Sequence, residues 1–556
     1  MIGGPVENPA MLAHPSARTV FAAFAAAALL LGACGGGHPQ ERAARGDTTC
    51  DGKVESPTEL TVWSHVSSDA VLERVALRRQ VQAFNASHRR VHVKLITLPQ
   101  GDYTHLVESA AATGNLPDVL DFDGPNLYNY AWSGKLKPID SCLTGALRAD
   151  LLPSLIKQGS YAGRMWGVGT FDSGLGLYVR TSVLERAGIR IPRAPGEAWT
   201  ADEFGDVLQR LREAGYERPL DLKLSYFTVP VGEWPTYAYA PAIWSAGGDL
   251  IDRHGYRKVD GVLNGPPAVK AMKTLQRWVA RGYVDPDRDG QAFEKGRSPI
   301  SWAGHWLYPS YLKGSRGDMT IVPLPDFGHG TASGMGSWQW GVTANATDGD
   351  AAWEFLAFLL RPEEVLRMTR ANGAIPGTRT AIRRSPRFAA GGPEHLFIEQ
   401  LESGVARPRP QTPAYPAVTD AFRRAAADIL LHGRPVAPAL DAAAASIDRS
   451  PRRRDPAARG ALGTQAVDHG RGALGGHRPG HGRDGERGVR GAAEPAQPLR
   501  LAPFVGHVER GEGEHGAQGH QDEQQELGPD PHPRQQRDAG TGGPATTGHR
   551  YGWVEP

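Results

Sequence analysis

Between residues 59 and 122 the spacing of apolar residues changes period four times, and this alternation limits the fold more than any other feature of the chain. Residues 59–63 (ELTVW) read as a strand. Ser67 and Ser68 are placed to cap a helix that carries Val71, Val75, Leu77, Val81 and Phe84. Val91, Val93 and Leu95 alternate with His92 and Lys94, the period of a second strand. Residues 102–113 form a short helix stopped by Gly114, and residues 118–122 (DVLDF) a third, buried strand. Strand, helix, strand, helix, strand predicts a parallel α/β lobe. Ligands in such sheets sit beyond the carboxyl ends of the strands. Those ends are Ser64 and His65, then residues 121–126. For Asp121 and Asp123 the competing explanation is turn chemistry before Pro125.

A second lobe is expected from residue 169 onward. Residues 169–180 (GTFDSGLGLYVR) read as a glycine-spaced strand. Thr200 and Glu203 form a capping box, and Phe204, Val207, Leu208 and Leu211 continue its helix to Gly215. Glu233, Trp234 and Pro235 begin an aromatic stretch running through Tyr237 and Tyr239 to Trp244. The helix after Pro266 and Pro267 has Val269, Met272, Leu275 and Trp278 on its apolar face. Residues 323–330 and 372–378 read as connectors between lobes; 348–360, 362–371, 417–431 and 438–447 read as helices.

Residues 298–342 hold four of the chain's 13 tryptophans. The spacing of Trp302 and Trp340 fits a buried face. Trp306 and Trp338 stand beside Gly304 and beside Gly336 with Ser337, residues that let a ligand approach the backbone. They read as platforms, offering a flat π-face to a sugar or a quaternary amine.

The formal net charge of +2 carries no nucleic-acid footprint, and 556 residues are enough for more than one domain. Arg18 precedes an apolar run, residues 19–31, too short for the ~20 residues that span a bilayer. It reads as the core of a secretory signal. Leu31-Gly32-Ala33-Cys34 resembles the lipobox of bacterial lipoproteins, which implies cleavage before Cys34 and lipid on its thiol. An ordinary signal cut near Ala33 is the alternative. Met11 is the better start, because residues 1–10 add no positive charge. Export leaves Cys50 and Cys142 as disulfide candidates, against two buried thiols.

From Pro451 the composition changes. Residues 451–556 lack Ser, Lys, Ile, Asn, Met and Cys and are rich in Gly, Pro, Arg, His and Gln. Such a tail cannot bury a core and is expected to be disordered. Its composition fits GC-rich DNA read out of frame after a shift near Ser450; a His-rich, metal-collecting tail is the alternative. If the GC-richest codon position does not move near residue 450, the frameshift hypothesis fails.

Residues 58–450 resemble the family 1 extracellular solute-binding proteins of bacterial ABC transporters, the maltose- and oligosaccharide-binding group. The matching stretches, in family order, are AAATGNLPDVLDFDGP, SGKLKPID, FDSGLGLYVRTSVLERAGI, AWTADEF, APAIWSAGGDLI, WAGHW, SGMGSWQWGVTANA and RPRPQTPAYPAVTDAF. The resemblance implies two α/β lobes joined by a hinge, a type II periplasmic-binding-protein-like fold with the ligand in the inter-lobe cleft. The implied organisation is a signal at 1–33, lipidated Cys34 and linker at 34–57, a first lobe from 58–171 with 329–374, and a second from 172–328 with 375–450.

It also implies the site. Trp306 matches a sugar-stacking Trp, and Asp172 an acid that accepts sugar hydroxyls. Glu233 and Trp234 match a polar–aromatic pair, Asp123 and Asn126 the polar residues after the third strand. Ser64, His65 and Ser67 fall on the loop after the first strand, and Tyr415 lies near a further aromatic; Ser337 and Trp338 are added to the expected site from their own glycine-flanked position, not from the resemblance. Ser-His-Val-Ser replaces the Asp-Lys pair of the maltose binder after Trp63, which puts maltose itself in doubt. The expected partners are a sugar and ABC-permease subunits, with no cofactor, metal or nucleic acid, in a monomer tethered outside an actinobacterial cell membrane. The competing functions are a glycan hydrolase using Asp121/Asp123 or Asp172/Glu233, and an adhesin prompted by Arg316-Gly317-Asp318. No Gly-x-Ser-x-Gly, His-Glu-x-x-His or paired-cysteine metal motif is present.

Overall fold

The computed structural model describes residues 48, 50, 52, 54–67, 70–228 and 232–450. The signal segment, Cys34, Ser68 and the tail from 451 lie outside the described residues.

Strand β1 (Thr58–Val66) is central in the first sheet. It pairs in parallel with β2 (Val91–Pro99) and with β3 (Val119–Asp123). Leu60 and Val62 are buried, as the pleat of a half-buried strand requires. Helix α1 (Val71–Ser87) packs Leu77, Val81 and Phe84 on one face of the sheet; α2 (Gln100–Thr113) places Tyr103 and Val107 in a separate core. The expected cap of α1 differs: the helix begins at Val71 behind Ala70, with no side-chain cap. Its Glu73 supplies the acidic first turn that complements the helix dipole.

The second sheet comes from later in the chain. The expected strand at 169–180 divides in two, because its halves serve different partners. Strand β4 (Phe171–Asp172) belongs to a crossing ribbon, and β5 (Leu175–Val179) enters the second sheet. Helix α3 (Ala201–Glu213) opens with the complete Thr200–Glu203 capping box. Strand β6 (Leu220–Asp221) follows. Helix α4 (Trp234–Ser245) is buried on every side, and α5 (Pro266–Ala280) is amphipathic with Trp278 inward. Strands β7 (Ile300–Gly304) and β8 (Thr320–Val322) complete the order β8–β5–β7–β6.

Strand β9 (Ser333–Met335) precedes the return to the first lobe, where β10 (Trp338–Val342) pairs antiparallel with β3, Trp338 opposite Asp123. Helices α6 (Gly349–Leu359) and α7 (Pro362–Asn372) cover the first sheet beside α1. Strand β11 (Ile375–Pro376) then pairs with β4, and β12 (Ala406–Pro408) with β9. Helices α8 (Tyr415–Leu430) and α9 (Val436–Asp448) pack into the second core with α4 and α5.

The crossing expected at 323–330 lies inside the second lobe instead. Asp326 exchanges backbone hydrogen bonds with Trp199 and Ala201, so the chain returns to the first lobe only after Met335. At the other crossing Gly373 is required. Its φ is +71°, and a Cβ there would meet the His305 carbonyl oxygen at 2.2 Å. A disulfide joins Cys50 to Cys142, with Cα atoms 5.0 Å apart.

Candidate functional site

The first-lobe wall is built at the carboxyl end of β1 and β3. Asp121, buried, receives Ser64 Oγ at 2.8 Å, the His65 amide at 3.0 Å and His65 Nδ1 at 2.8 Å. The imidazole lies flat on Trp338, ring centroids 3.3 Å apart and planes 10° from parallel. Tyr103 meets that indole edge-on and donates to the Asp121 carbonyl. Burial, the largest single influence on His65, lowers its pKa. The Asp121 charge and hydrogen bond, with Glu73 and Asp123 beyond, outweigh it and hold the pKa above the ordinary histidine value. A narrow recess, partly open to solvent, lies beside this wall and is bounded also by Ser67, Arg74 and Phe171.

The second-lobe wall is aromatic. Trp306 is half-buried and follows β7. Its Nε1 donates to Tyr226 Oη at 3.3 Å, and Trp234 meets its ring edge-on with centroids 5.9 Å apart. Gly304 does not leave space for a ligand as its sequence position suggested. The Trp306 ring itself fills that space: a Cβ on Gly304 would lie 2.1 Å from its Cζ3. Trp302 and Trp340 are both buried in the cores.

Arg409 stands between the walls. It donates to both oxygens of Asp123, at 2.6 and 2.7 Å, and to Glu233 at 3.0 Å. Glu233 also accepts from Tyr415 Oη and from Thr419 Oγ1. Burial pushes the Glu233 carboxyl above its usual range, while Arg409 pulls the other way.

These contacts sort the residues expected from sequence. His65, Trp338, Trp306, Asp123, Glu233 and Ser67 keep exposed surface. Ser64 supports Asp121. Trp234 is a buried prop for Trp306, and Tyr415 a buried donor to Glu233. Asn126 is buried in the turn after β3, and Ser337 Oγ donates to the Trp338 carbonyl. Asp172 was expected to accept ligand hydroxyls. It is fully buried and accepts from the Ser173 and Gly336 amides at 2.7 and 3.2 Å and from Gln158, so its oxygens join the crossing strands. Burial raises its pKa, opposed by those hydrogen bonds. Arg409 escaped the sequence reading. Its one signal was an arginine held between Pro408 and Pro410 inside a matching stretch.

Among the described residues no cluster of three or more His, Cys, Asp and Glu is arranged to hold a metal ion. Arg316 and Asp318 form a helix-terminal turn, with Arg316 left-handed and Asp318 bonded to Ser182.

The family described as bacterial extracellular solute-binding protein matches residues 79–392. An uncharacterized lipoprotein in the oleD 5′ region of Streptomyces antibioticus is 24% identical over 376 residues, covering 65% of this chain and 76% of the relative. The arabinooligosaccharide-binding protein of Bacillus subtilis is 21% identical over 328 residues, covering 55% and 70%. Among solved structures, the GacH receptor of Streptomyces glaucescens matches with a TM-score of 0.60 and 20% identity, over 70% of this chain and 97% of the receptor. Maltose-bound MalE3 of T. maritima also has a TM-score of 0.60 and 20% identity, over 70% and 98%. These structural likenesses show the fold, two α/β lobes of the periplasmic-binding-protein type.

Proposed function

We propose that this chain, which belongs to the bacterial extracellular solute-binding proteins, captures a di- or oligosaccharide between its lobes and delivers it to an ABC-transporter permease. One observation carries the reading. The half-exposed tryptophans Trp338 and Trp306 stand on different lobes, and the polar cluster Asp123–Arg409–Glu233 links the two walls. A pyranose has apolar C–H faces and an equator of hydroxyls. Indole faces suit the first, and planar acceptors and donors suit the second. Micromolar capture needs only about −8 kcal/mol. The names of similar proteins point the same way: one binds arabinooligosaccharides, one was solved with acarbose and one with maltose.

The hydrolase alternative is weaker because the acids are already engaged. Asp123 is gripped by Arg409, Asp121 by three donors, and Asp172 by backbone amides. Glu233 too is held, by Arg409, Tyr415 and Thr419, so none of these candidate acids is left free for the paired-carboxylate chemistry of glycoside hydrolysis. Shortened products after incubation with oligosaccharides would reverse that judgement.

We place the protein on the outer face of the cell membrane, tethered through lipid on Cys34. A Cys34→Ser variant that still fractionates with membranes at the processed size would contradict the tether. The saccharide reading is tested by thermal shift. A ligand at 100 times its Kd adds about 2.7 kcal/mol of stability. A panel of malto-, arabino- and other short oligosaccharides should contain at least one that raises the Tm. If none does at millimolar concentration, the reading fails.

A further inference from the structure

The two carboxylates that share Arg409 come from different lobes. Asp123 ends β3 in the first sheet, and Glu233 precedes α4 in the second core. Arg409 engages both, and its side chain is 3% exposed. Its guanidinium also lies over the Tyr237 ring, 5.2 Å from the centroid. The backbone around it spans the same gap. Arg253 of the second lobe donates to the Pro408 carbonyl at 3.0 Å, and Gln411 donates to Tyr128 Oη of the first at 2.7 Å.

We infer that Arg409 is a positioning residue that draws the cleft closed before ligand arrives and fixes the spacing of Asp123 and Glu233. The argument is one of charge and shape. One guanidinium beside two carboxylates leaves a net charge of −1. Without it, two acids from opposite lobes would face each other with no shared cation, which disfavours the closed arrangement. A planar fork can take one carboxylate bidentately and still offer a hydrogen to the second, which an ammonium does poorly. The spacing matters for ligand only if the saccharide reading holds; the closure does not depend on it.

The full chain tests this without ligand. Spin labels at Arg79 in α1 and Lys273 in α5, both exposed, report the separation of the lobes. In Arg409→Gln the closed-to-open ratio should fall by roughly 30-fold or more, the expected effect of truncating one partner of a buried charge pair. Arg409→Lys, which keeps the charge but not the fork, should retain part of the closed population. A purely structural role would lower the Tm of Arg409→Gln and leave the distance distribution of the folded protein unchanged, and that result overturns the inference. Should Arg409→Gln not fold, Asp123→Asn and Glu233→Gln each remove half of the bridge and should lengthen the distance. Wild-type distances in both would equally overturn it. A wild type that no saccharide stabilises would refute the ligand class and leave these ligand-free distances standing.

Discussion

Gly304→Ala should damage the second-lobe platform without removing a single ligand-facing atom. The backbone at Gly304 is extended, φ −95° and ψ 168°, so alanine fits the main chain without strain. The side chain does not fit. Its Cβ would lie 2.1, 2.3 and 2.7 Å from Cζ3, Cη2 and Cε3 of Trp306, where carbon atoms prefer about 3.5–4.0 Å. The indole must shift by more than about 1 Å. It is half-buried, with one hydrogen bond to Tyr226 and an edge contact to Trp234, so it has room to swing toward the cleft. The stability cost should therefore sit near the low end of the ~1–3 kcal/mol typical of overpacking. Binding should suffer more. Trp306→Ala should cost ~2–4 kcal/mol, about 30- to 1,000-fold in affinity, by analogy with aromatic anchors at interfaces. Gly304→Ala should lose at least about tenfold, and no more than Trp306→Ala loses. With the ring gone the three closest neighbours of the added methyl are gone too, so the double variant should bind like Trp306→Ala alone. Calorimetric titration of the four proteins, with a saccharide found by thermal shift, measures the coupling. Additive effects, or normal binding by Gly304→Ala, would refute the steric argument and the placement of the platform.

Trp278 is the control: it is 1% exposed and packs on Phe204 and Phe327, so Trp278→Ala should cost ~3–5 kcal/mol of stability at near-normal affinity, read by melting and titration. His305 is buried and neutral, its Nδ1 donating to the Asn372 carbonyl, and burial pushes its pKa down to about 4. Its folded pKa is below the unfolded value, so its contribution is present above about pH 6.5 and lost as pH falls toward 4. The difference in unfolding free energy between wild type and His305→Asn should shift by roughly 3 kcal/mol across that window, and a constant difference would contradict the assignment. The Cys50–Cys142 disulfide closes a separation of 92 residues, so reduction should lower stability by at most ~4–5 kcal/mol. Alkylation of both thiols before any reductant would count against it.

The fold was largely legible because its signals are local. The capping box of α3 needs only Thr200 and Glu203, three residues apart, and the inward face of α5 needs only every third or fourth residue. Helix α4 shows the limit. Every one of its residues is buried, so it has no polar face and no period to detect; it reads in sequence as an aromatic stretch. Trp306 and Trp338 meet the expectation drawn from their neighbouring glycines only in part. Both remain half-exposed, yet the glycine beside Trp306 accommodates its own ring, and one face of Trp338 is taken by His65.

The acids were harder to read, and charge explains why. A carboxylate near a cleft looks like a ligand acceptor, but burial obliges it to find donors, and the chain supplies them where it can. Asp172 takes the Gly336 amide, 164 residues away, to tie two crossing strands. Asp121 takes Ser64 and His65 from the strand beside it. Asp123 and Glu233 share Arg409, which lies 286 and 176 residues from them. No periodicity reaches that far. Of these acids, only Asp123 and Glu233 combine exposed surface with a bond that spans the lobes. An opening cleft would have to break that bond, and an arriving ligand would have to compete with it. On the proposed reading, ligand recognition and lobe movement would therefore meet at one guanidinium.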